Sequence, residues 1–170
     1  MLADRAVDLI EDGLDLAIRV GYLGSQNLVA RQIGTTRILL CASPAYLTAR
    51  GTPQTPEELA HHDCMTYAYA SNSNLWSFER AGEAPRQVRV SGSMHANNGT
   101  VLGELAAAGL GITSAPDFIL GPLVAQGRLV EILPDWINRA LPISAVYPSR
   151  KHLSAKVRSF VSFMEEWLTK

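Results

Sequence analysis

The segment ANNGTVLGELAAAGLGITSAPDFILGPLVAQGRLVEILPDW, residues 96–136, predicts two helices that alternate with two strands, with few residues between them. Asn97 and Asn98 are suited to capping the first helix, because their side-chain oxygens accept hydrogen bonds from N–H groups of the first turn. Gly109 is suited to the left-handed residue that ends this helix. Alternation of helices and strands at this spacing favours an α/β fold with a largely parallel sheet.

The second half of the segment repeats the pattern of the first. Residues 111–115 form a short apolar run typical of a strand, Pro116 suits the first turn of the second helix, and Gly127 suits its end. Helix N-termini at Asn97–Asn98 and Ser114–Pro116 would then lie on the side of the sheet where α/β folds bind small ligands. The N–H groups and the helix dipole at these N-termini favour an anionic ligand.

Further helix and strand signals lie outside this segment. Two extended segments, residues 28–33 and 37–42, are separated by Gly34 and two threonines. The residues Thr55–Glu58 form a capping box that predicts the start of a helix. The residues Cys64–Ala70 then predict a strand.

The last helix is predicted to begin at Ser154, and its apolar residues recur at helical spacing. We expect this apolar stripe to face the core, and a face directed at a partner is the alternative. The stripe consists of Val157, Phe160, Val161, Met164, Trp167 and Leu168.

The chain resembles the effector-binding domain of LysR-type transcriptional regulators over nearly all of its 170 residues. An asparagine-capped helix, followed by AAAGLGITSAP and GRLVEILPDW, carries the first part of the resemblance. Four further segments occur in the order that this family would show. They are DLIEDGLDLAIRVG (Asp8–Gly21), LVARQIGTTRILLCASPAYL (Leu28–Leu47), GTPQTPEELAHHDC (Gly51–Cys64) and AVYPSRKHLSAKVRSFVSFMEEWL (Ala145–Leu168).

The resemblance implies an α/β, two-lobed, periplasmic-binding-protein-like domain of type 2 with mixed, mostly parallel sheets. Residues 1–35 would supply the end of regulatory lobe one, residues 36–135 lobe two, and residues 136–170 the return to lobe one. It also implies a small-molecule effector between the lobes and a homodimer or tetramer of the full-length protein. DNA would be contacted only through an N-terminal winged helix-turn-helix.

The sequence contains neither that DNA-binding module nor the opening strand and helix of lobe one. We therefore interpret it as a regulatory domain truncated at its N-terminus. A lobe without its first strand is expected to expose a sheet edge and apolar surface, which favours association.

The composition gives no sign of a nucleic-acid-binding or membrane protein. The net charge is −1, and the basic residues are scattered rather than clustered on one face. No apolar run reaches the roughly 18 residues of a membrane span, and the acidic N-terminus does not read as a signal peptide, so a cytoplasmic location is predicted. Cys41 and Cys64 are predicted to be buried small hydrophobic residues rather than a disulfide.

Motifs for catalysis, metal binding and cofactor binding are absent from the sequence. It has no G-x-S-x-G nucleophile elbow and no phosphate-binding G-x-x-x-x-G-K loop, and Gly109-Leu-Gly111 lacks the third glycine of a dinucleotide site. Neither His61 nor His62 has a ligand set at site-like spacing nearby. A sensory domain without an enzyme activity, metal or cofactor is therefore predicted. A fragment of a periplasmic-type solute-binding protein is the alternative, and it would need an export signal and a complete first lobe.

Arg19 and Gly21 follow the strand predicted over residues 14–18, in a region that the resemblance places near the effector. An arginine there is suited to bidentate pairing with a carboxylate, and a surface arginine or a structural ion pair is the alternative. Gly21 would allow a close approach to the backbone, or it would serve only the turn.

Aromatic and polar residues at the strand ends of lobe two complete the predicted effector site. Aromatic rings that carry hydroxyls suit an aromatic ligand, and buried tyrosines with satisfied hydroxyls are the alternative. Asparagine and hydroxyl side chains at helix N-termini suit an anion, and simple capping is the alternative. These residues are Tyr67, Tyr69, Ser71, Asn72, Asn97, Asn98, Thr113 and Ser114.

Overall fold

A computed structural model describes residues 9, 11–22, 28–70, 73–136, 140–148 and 154–168 of the chain. The chain divides into two compact units. Unit 1 consists of Met1–Arg5 and Arg37–Arg139, and unit 2 consists of Ala6–Thr36 and Ala140–Lys170. The assignment of these parts to the lobes of an effector domain stays a prediction.

Nine strands and four α-helices are present in the described residues. The strands are β1 (Ala17–Val20), β2 (Val29–Ala42), β3 (Cys64–Tyr67), β4 (Leu75–Phe78), β5 (Arg86–Arg89), β6 (His95–Ala96), β7 (Ile112–Pro116), β8 (Val130–Glu131) and β9 (Ala140–Tyr147). The α-helices are α1 (Pro44–Arg50), α2 (Gly99–Ala107), α3 (Asp117–Ala125) and α4 (Ala155–Leu168), and short 3₁₀ helices span Pro56–His61 and Pro134–Trp136. No helix in these described parts is both long enough and apolar enough to cross a bilayer.

The sheet of unit 1 is mixed, as predicted, but the described pairings are not mostly parallel. Strand β3 pairs in parallel with β6 and β7, whereas β2 pairs antiparallel with β7 and β8. Strands β4 and β5 form a separate antiparallel pair. Since parallel strands have their carboxyl ends at the same edge, the ends of β3, β6 and β7 lie along one edge of this sheet.

The apolar side chains of unit 1 form two clusters on opposite faces of the sheet, because successive residues of a strand point to opposite faces. Leu40 belongs to the cluster that contains Trp136. The neighbouring Cys41 belongs to the cluster that contains Leu102 of α2 and Leu120 of α3. Helices α2 and α3 therefore cover one face of the sheet. The β4–β5 pair and the two 3₁₀ helices cover the other face.

Helices α2 and α3 pack closely because two glycines of α2 face α3. A Cβ on Gly99 would lie 3.0 Å from Ile119 Cδ1, and a Cβ on Gly103 would lie 3.0 Å from Leu120 Cδ2. The predicted end of α2 is confirmed, since Gly109 has a φ of +87°, which favours glycine.

Unit 2 consists of the ladder of β1 with β9, the first part of β2 beside β9, and α4 packed against these strands. Val157 and Val161 of α4 are buried with Ile33, Ile143 and Ala145. The predicted core stripe of α4 is correct for Val157, Val161, Met164 and Leu168. It is wrong for Phe160 and Trp167, which are exposed because they lie on a different side of the helix.

Strand β2 corrects the prediction of two separate extended segments. Its 14 residues run without a break through Gly34. A Cβ on Gly34 would lie 3.2 Å from the Cβ of Leu168, so the glycine is explained by the close approach of α4. It does not interrupt the strand.

Local predictions between residues 55 and 116 are corrected as well. Thr55 makes no capping hydrogen bond to the backbone, and its hydroxyl donates instead to Glu58 Oε1 at 3.2 Å, ahead of a 3₁₀ helix. Strand β3 ends at Tyr67, and a turn follows in which Ala70 N donates to Tyr67 O at 3.2 Å. Pro116 ends β7 rather than lying in the first turn of α3. Strands β4 and β6 were not predicted, because strands this short depend on their partners.

Candidate functional site

The parallel pairing of β3 with β6 brings two parts of the predicted site to one sheet edge. Tyr67 lies opposite Ala96 in this ladder, and Ala68 N donates to Ala96 O at 2.9 Å. The turn after β3, which carries Tyr69, therefore lies beside Asn97, the first residue after β6. Residues that are about 30 positions apart in the sequence meet here.

The two tyrosines form an aromatic surface at this edge. Their ring centroids are 5.8 Å apart and the rings meet edge to face, at an interplanar angle of 82°. Tyr67 is half-buried and Tyr69 is exposed. An aromatic ligand would have ring edges and faces available for stacking at this place. Ser71 and Asn72, which were predicted to contribute from the same loop, lie outside the described residues.

The N-terminus of α2 follows directly after β6. Asn98 is its N-cap, and Asn98 Oδ1 accepts a hydrogen bond from Val101 N at 3.0 Å. This confirms that one of the two asparagines caps the helix. Asn97 is exposed one residue before the cap, so its amide group is placed beside the helix N-terminus without forming the cap.

Replacing Asn98 by alanine is expected to lower the free energy of unfolding by about 1 kcal/mol, because Val101 N loses its capping acceptor. Replacing Asn97 by alanine is the matched control and should change stability by less than about 0.5 kcal/mol. Urea unfolding followed by circular dichroism measures both. Equal losses in the two variants would contradict the assignment of the cap to Asn98.

A hydrogen-bonded pair of polar residues at this edge was not predicted from the sequence. Thr66 Oγ1 and His95 Nδ1 are 2.8 Å apart, with Thr66 buried and His95 exposed. The hydrogen bond ties β3 to β6 next to Tyr67 and Asn97. No local signal in the sequence identifies it, because the two residues meet only through the pairing of the strands.

The structure places Thr113 and Ser114 inside β7 rather than at a helix N-terminus. Thr113 lies opposite Cys41 and beside Met65, is 0% exposed, and is buried on the face covered by α2 and α3. Its Oγ1 has no hydrogen-bond partner among the described residues. Ser114 is half-buried and lies opposite Leu40.

Replacing Thr113 by valine is expected to raise the free energy of unfolding by about 1 kcal/mol, because valine keeps the shape of threonine and removes an unbonded buried hydroxyl. Replacing it by serine keeps the hydroxyl and deletes a methyl group, so a loss of about 1 kcal/mol is expected. Chemical unfolding of the two variants distinguishes them. A destabilised valine variant would mean that the hydroxyl is satisfied.

The N-terminus of α3 already has an acidic side chain close to it. Asp117 is the first residue of the helix, and its carboxylate accepts a hydrogen bond from Arg37 N at 3.2 Å. An acidic residue in the first turn interacts favourably with the helix dipole. This N-terminus is therefore less suited to an external anion than that of α2.

Arg19 and Gly21 belong to unit 2. Arg19 lies in β1 opposite Ser144 and is half-buried. Its side chain or backbone already interacts with another group of the protein. Gly21 has a φ of +101°, and its N–H donates to Pro142 O at 2.9 Å. Since no atom lies within 4 Å of a Cβ placed on Gly21, its backbone conformation, and not a close contact with the chain, explains the glycine.

Both cysteines are free and buried, as predicted. Burial raises the pKa of the Cys41 and Cys64 thiols to about 12, and nearby carboxylates contribute in the same direction. Within the parts of the chain that the structure describes, no group of three or more histidine, cysteine or acidic side chains is placed to hold a metal ion.

Native protein treated with iodoacetamide at pH 8 is expected to keep both thiols unmodified. A thiol with so high a pKa is ionised in only about one molecule in ten thousand at this pH, and burial also blocks access. Mass spectrometry of the intact chain measures the modification. Unfolded protein is the control and should gain two adducts, and rapid labelling of the native chain would contradict the burial of the thiols.

Comparisons with known proteins give one consistent result. The family model for the LysR substrate binding domain matches residues 1–169. The chain is 43% identical to an uncharacterized HTH-type transcriptional regulator of Haemophilus influenzae over 154 residues, which cover 91% of this chain and 53% of that protein. It is 34% identical to the HTH-type transcriptional regulator CrgA of Neisseria meningitidis, over 95% of this chain and 54% of that protein.

Solved structures of such regulators have the same fold. The CrgA regulatory domain of Neisseria meningitidis matches with a TM-score of 0.80 and 34% identity, over 94% of this chain and 78% of that one. Full-length AphB, a virulence activator of Vibrio cholerae, matches with a TM-score of 0.81 and 30% identity, over 98% of this chain and 56% of that one. The chain thus spans about half the length of the curated relatives that it matches.

Proposed function

Since this chain belongs to the family of LysR substrate-binding domains, we propose that it senses a small effector on behalf of a full-length transcription regulator. The match over residues 1–169 carries this proposal, and it also confirms the resemblance and the fold class predicted from the sequence. The relatives named above are transcriptional regulators, which supports a regulatory role without an enzyme activity. They do not favour the alternative of a solute-binding protein.

The proposed effector is a small carboxylate, with an aromatic carboxylate as the preferred class. In unit 1, the Tyr67–Tyr69 pair and the N-terminus of α2 lie at one sheet edge, which supports an aromatic ring and an anionic group in one ligand. Asn97 and Asn98 lie at that N-terminus. Arg19 is kept as a proposed effector contact from the sequence prediction, because its guanidinium suits bidentate pairing with a carboxylate.

The remaining predicted contacts have weaker support. Ser114 is half-buried, whereas Thr113 would need β7 or its neighbours to shift before a ligand touched it. For the full-length protein, we propose a homodimer or tetramer in the cytoplasm. The relatives are named HTH-type regulators. We propose that the full-length protein, too, binds DNA through an N-terminal helix-turn-helix domain.

A thermal-shift and calorimetric titration with three matched compounds tests the proposal. Benzoate carries a ring and a charge, cyclohexanecarboxylate keeps the charge without the aromatic ring, and benzamide keeps the ring without the charge. A ligand that binds only the folded chain raises the melting temperature in proportion to the logarithm of its concentration. We expect the largest shift with benzoate or its ring-substituted relatives and none with benzamide.

Variants identify the residues that are responsible. Replacing Tyr69 by alanine or Arg19 by glutamine is expected to reduce the shift. Replacing Phe118 by alanine removes a comparably exposed aromatic side chain from α3 and should leave the shift in melting temperature unchanged. A cooperative melt that none of these carboxylates shifts would contradict carboxylate sensing by this chain. Equal shifts in the Tyr69 and Arg19 variants and the wild type would contradict the proposed site.

A further inference from the structure

Helix α1 of unit 1 is connected to the start of β3 by a chain of hydrogen bonds that the proposed effector site does not use. The Tyr46 side chain of α1 is 5% exposed and belongs to the apolar cluster that contains Cys64. Its hydroxyl accepts a hydrogen bond from Asp63 N at 3.0 Å. The same hydroxyl lies 3.1 Å from His62 Nδ1. Two neighbouring residues at the start of β3 therefore contact α1 through one hydroxyl group.

The backbone of Asp63 shows why this contact matters for the sheet. Its carbonyl oxygen accepts a hydrogen bond from Ile112 N at 2.8 Å, at the point where β3 and β7 begin to pair. Its N–H donates to a side chain, the Tyr46 hydroxyl. Because a backbone N–H group inside the protein costs free energy when it has no acceptor, the hydroxyl completes the hydrogen bonding at the start of the strand.

The bonds of the Tyr46 hydroxyl determine which nitrogen of His62 carries the proton. Asp63 N donates to the hydroxyl oxygen. The Arg50 guanidinium bonds to it as well, since hydrogen bonds to Asp63 and then to Tyr46 raise the pKa of Arg50. A phenolic oxygen that already accepts two hydrogen bonds has its own proton left to donate, and His62 Nδ1 is the acceptor within reach. His62 is therefore neutral, with its proton on Nε2.

The surroundings of His62 disfavour a second proton on its ring. Burial lowers the pKa of His62 most, and the Arg50 guanidinium and His61 lower it further. Glu58 of the first 3₁₀ helix and Asp63 act in the opposite direction, and the net shift is downward from the ordinary value of 6.5. Because the folded chain then binds this proton less readily than the unfolded chain, neutral His62 contributes stability that is fully present above about pH 6.5. That stability is lost as the pH falls below this value.

We propose that Tyr46, His62 and Asp63 form a pH-sensitive latch, which holds α1 on the start of β3 while His62 is neutral and opens when His62 is protonated. A proton on Nδ1 removes the acceptor of the Tyr46 hydroxyl and sets one donor against another. The imidazolium is also repelled by the Arg50 guanidinium. The ion pair between Arg50 and Asp63 at 2.8 Å remains, but its side chains are 55% and 41% exposed, and exposed pairs contribute little stability.

Opening of the latch is a local event in unit 1. Helix α1 has seven residues, and isolated helices shorter than about 12 residues are not stable in water, so α1 depends on its contacts with the rest of the unit. Leu40 and Ile112, which are 0% exposed at the centre of the sheet, do not belong to the latch and hold the sheet together when it opens. This inference goes beyond effector sensing and does not depend on the proposed effector.

Amide hydrogen exchange of the whole chain at pH 7.5 and at pH 5, followed by NMR, tests the latch. Each rate is divided by the intrinsic exchange rate of that amide at the same pH, which gives its protection. We expect the protection of the Asp63 amide, and of the Gly51 amide at the end of α1, to fall severalfold at pH 5. The Ala108 amide, which donates to Glu104 O in α2, is the internal control and should not change.

Matched variants assign the effect to His62. His62→Asn places an amide oxygen at about the position of Nδ1 and does not titrate, so the protection of the Asp63 amide should be the same at both pH values. His61→Asn changes the exposed neighbouring histidine and should lose protection as wild type does. Tyr46→Phe removes the hydroxyl, so the Asp63 amide should exchange rapidly at both pH values.

Two results of the exchange experiment would overturn the proposal. One is wild-type protection at Asp63 that is equal at both pH values, and the other is a His62→Asn variant that loses protection as wild type does. An NMR titration of the His62 ring gives a test that does not need the asparagine variant to fold. The pKa of His62 should rise in Tyr46→Phe, because the neutral ring loses its hydrogen-bond donor. The same His62 pKa in wild type and Tyr46→Phe would contradict the latch.

Discussion

Replacing Gly111 by alanine is expected to lower the free energy of unfolding by about 3 kcal/mol, or to prevent unit 1 from folding. A Cβ on Gly111 would lie 2.3 Å from the backbone oxygen of Asp63, closer than any real contact. That oxygen accepts a hydrogen bond from Ile112 N at 2.8 Å, at the point where β3 and β7 begin to pair. Because the clash involves backbone, no side-chain rotation relieves it.

A second glycine-to-alanine change serves as the control. Gly121 lies inside α3 and has no atom within 4 Å of a Cβ placed on it. Alanine has the higher helix propensity, so Gly121→Ala is expected to stabilise by up to about 1 kcal/mol. Urea unfolding of both variants tests the pair. Similar stabilities for the two variants would mean that β3 and β7 do not approach each other as closely as described.

Replacing Trp136 by alanine is expected to lower the free energy of unfolding by about 3–5 kcal/mol. The side chain is 5% exposed in the cluster between the sheet and the β4–β5 hairpin. The guanidinium carbon of Arg86 lies 4.2 Å from the centre of its ring, and that of Arg80 lies 5.3 Å away. The substitution therefore creates a cavity and removes two cation–π contacts.

The matched control for this change is Trp167→Ala in α4. Trp167 is mostly exposed, so its removal should change stability by less than about 0.5 kcal/mol. Thermal unfolding followed by circular dichroism compares the two variants with wild type. If the Trp136 variant melted within two degrees of the Trp167 variant, the burial of Trp136 would be contradicted.

Several features that depend on residues within about four positions of one another were predicted correctly, although the cap at Thr55 and the place of Pro116 were not. The cap of α2 at Asn98 and its end at Gly109 are examples, as is the inner stripe of α4 at Val157 and Val161. Helix capping and helical periodicity are local, since both involve contacts within one or two turns. Helix caps and apolar stripes can therefore be predicted from the sequence pattern alone.

Features that depend on distant residues were predicted less well. Strand β6 consists of His95 and Ala96 and exists through its pairing with β3, so its hydrogen bond between His95 and Thr66 had no local signal. Gly34 suggested a break, but the approach of Leu168 explains it within one continuous strand. Strand pairing and close packing involve residues that are tens of positions apart.

The family could be predicted from the sequence, whereas the details of the site could not. Segment order along the chain was enough to indicate a LysR substrate-binding domain, because motifs in register are a property of the sequence. The burial of Thr113, the meeting of Tyr67 and Tyr69 with the N-terminus of α2, and the exposure of Phe160 and Trp167 on α4 appeared only in the folded chain. Burial and proximity are set by how the sheet pairs and which helix faces it, and residues far apart in sequence determine both.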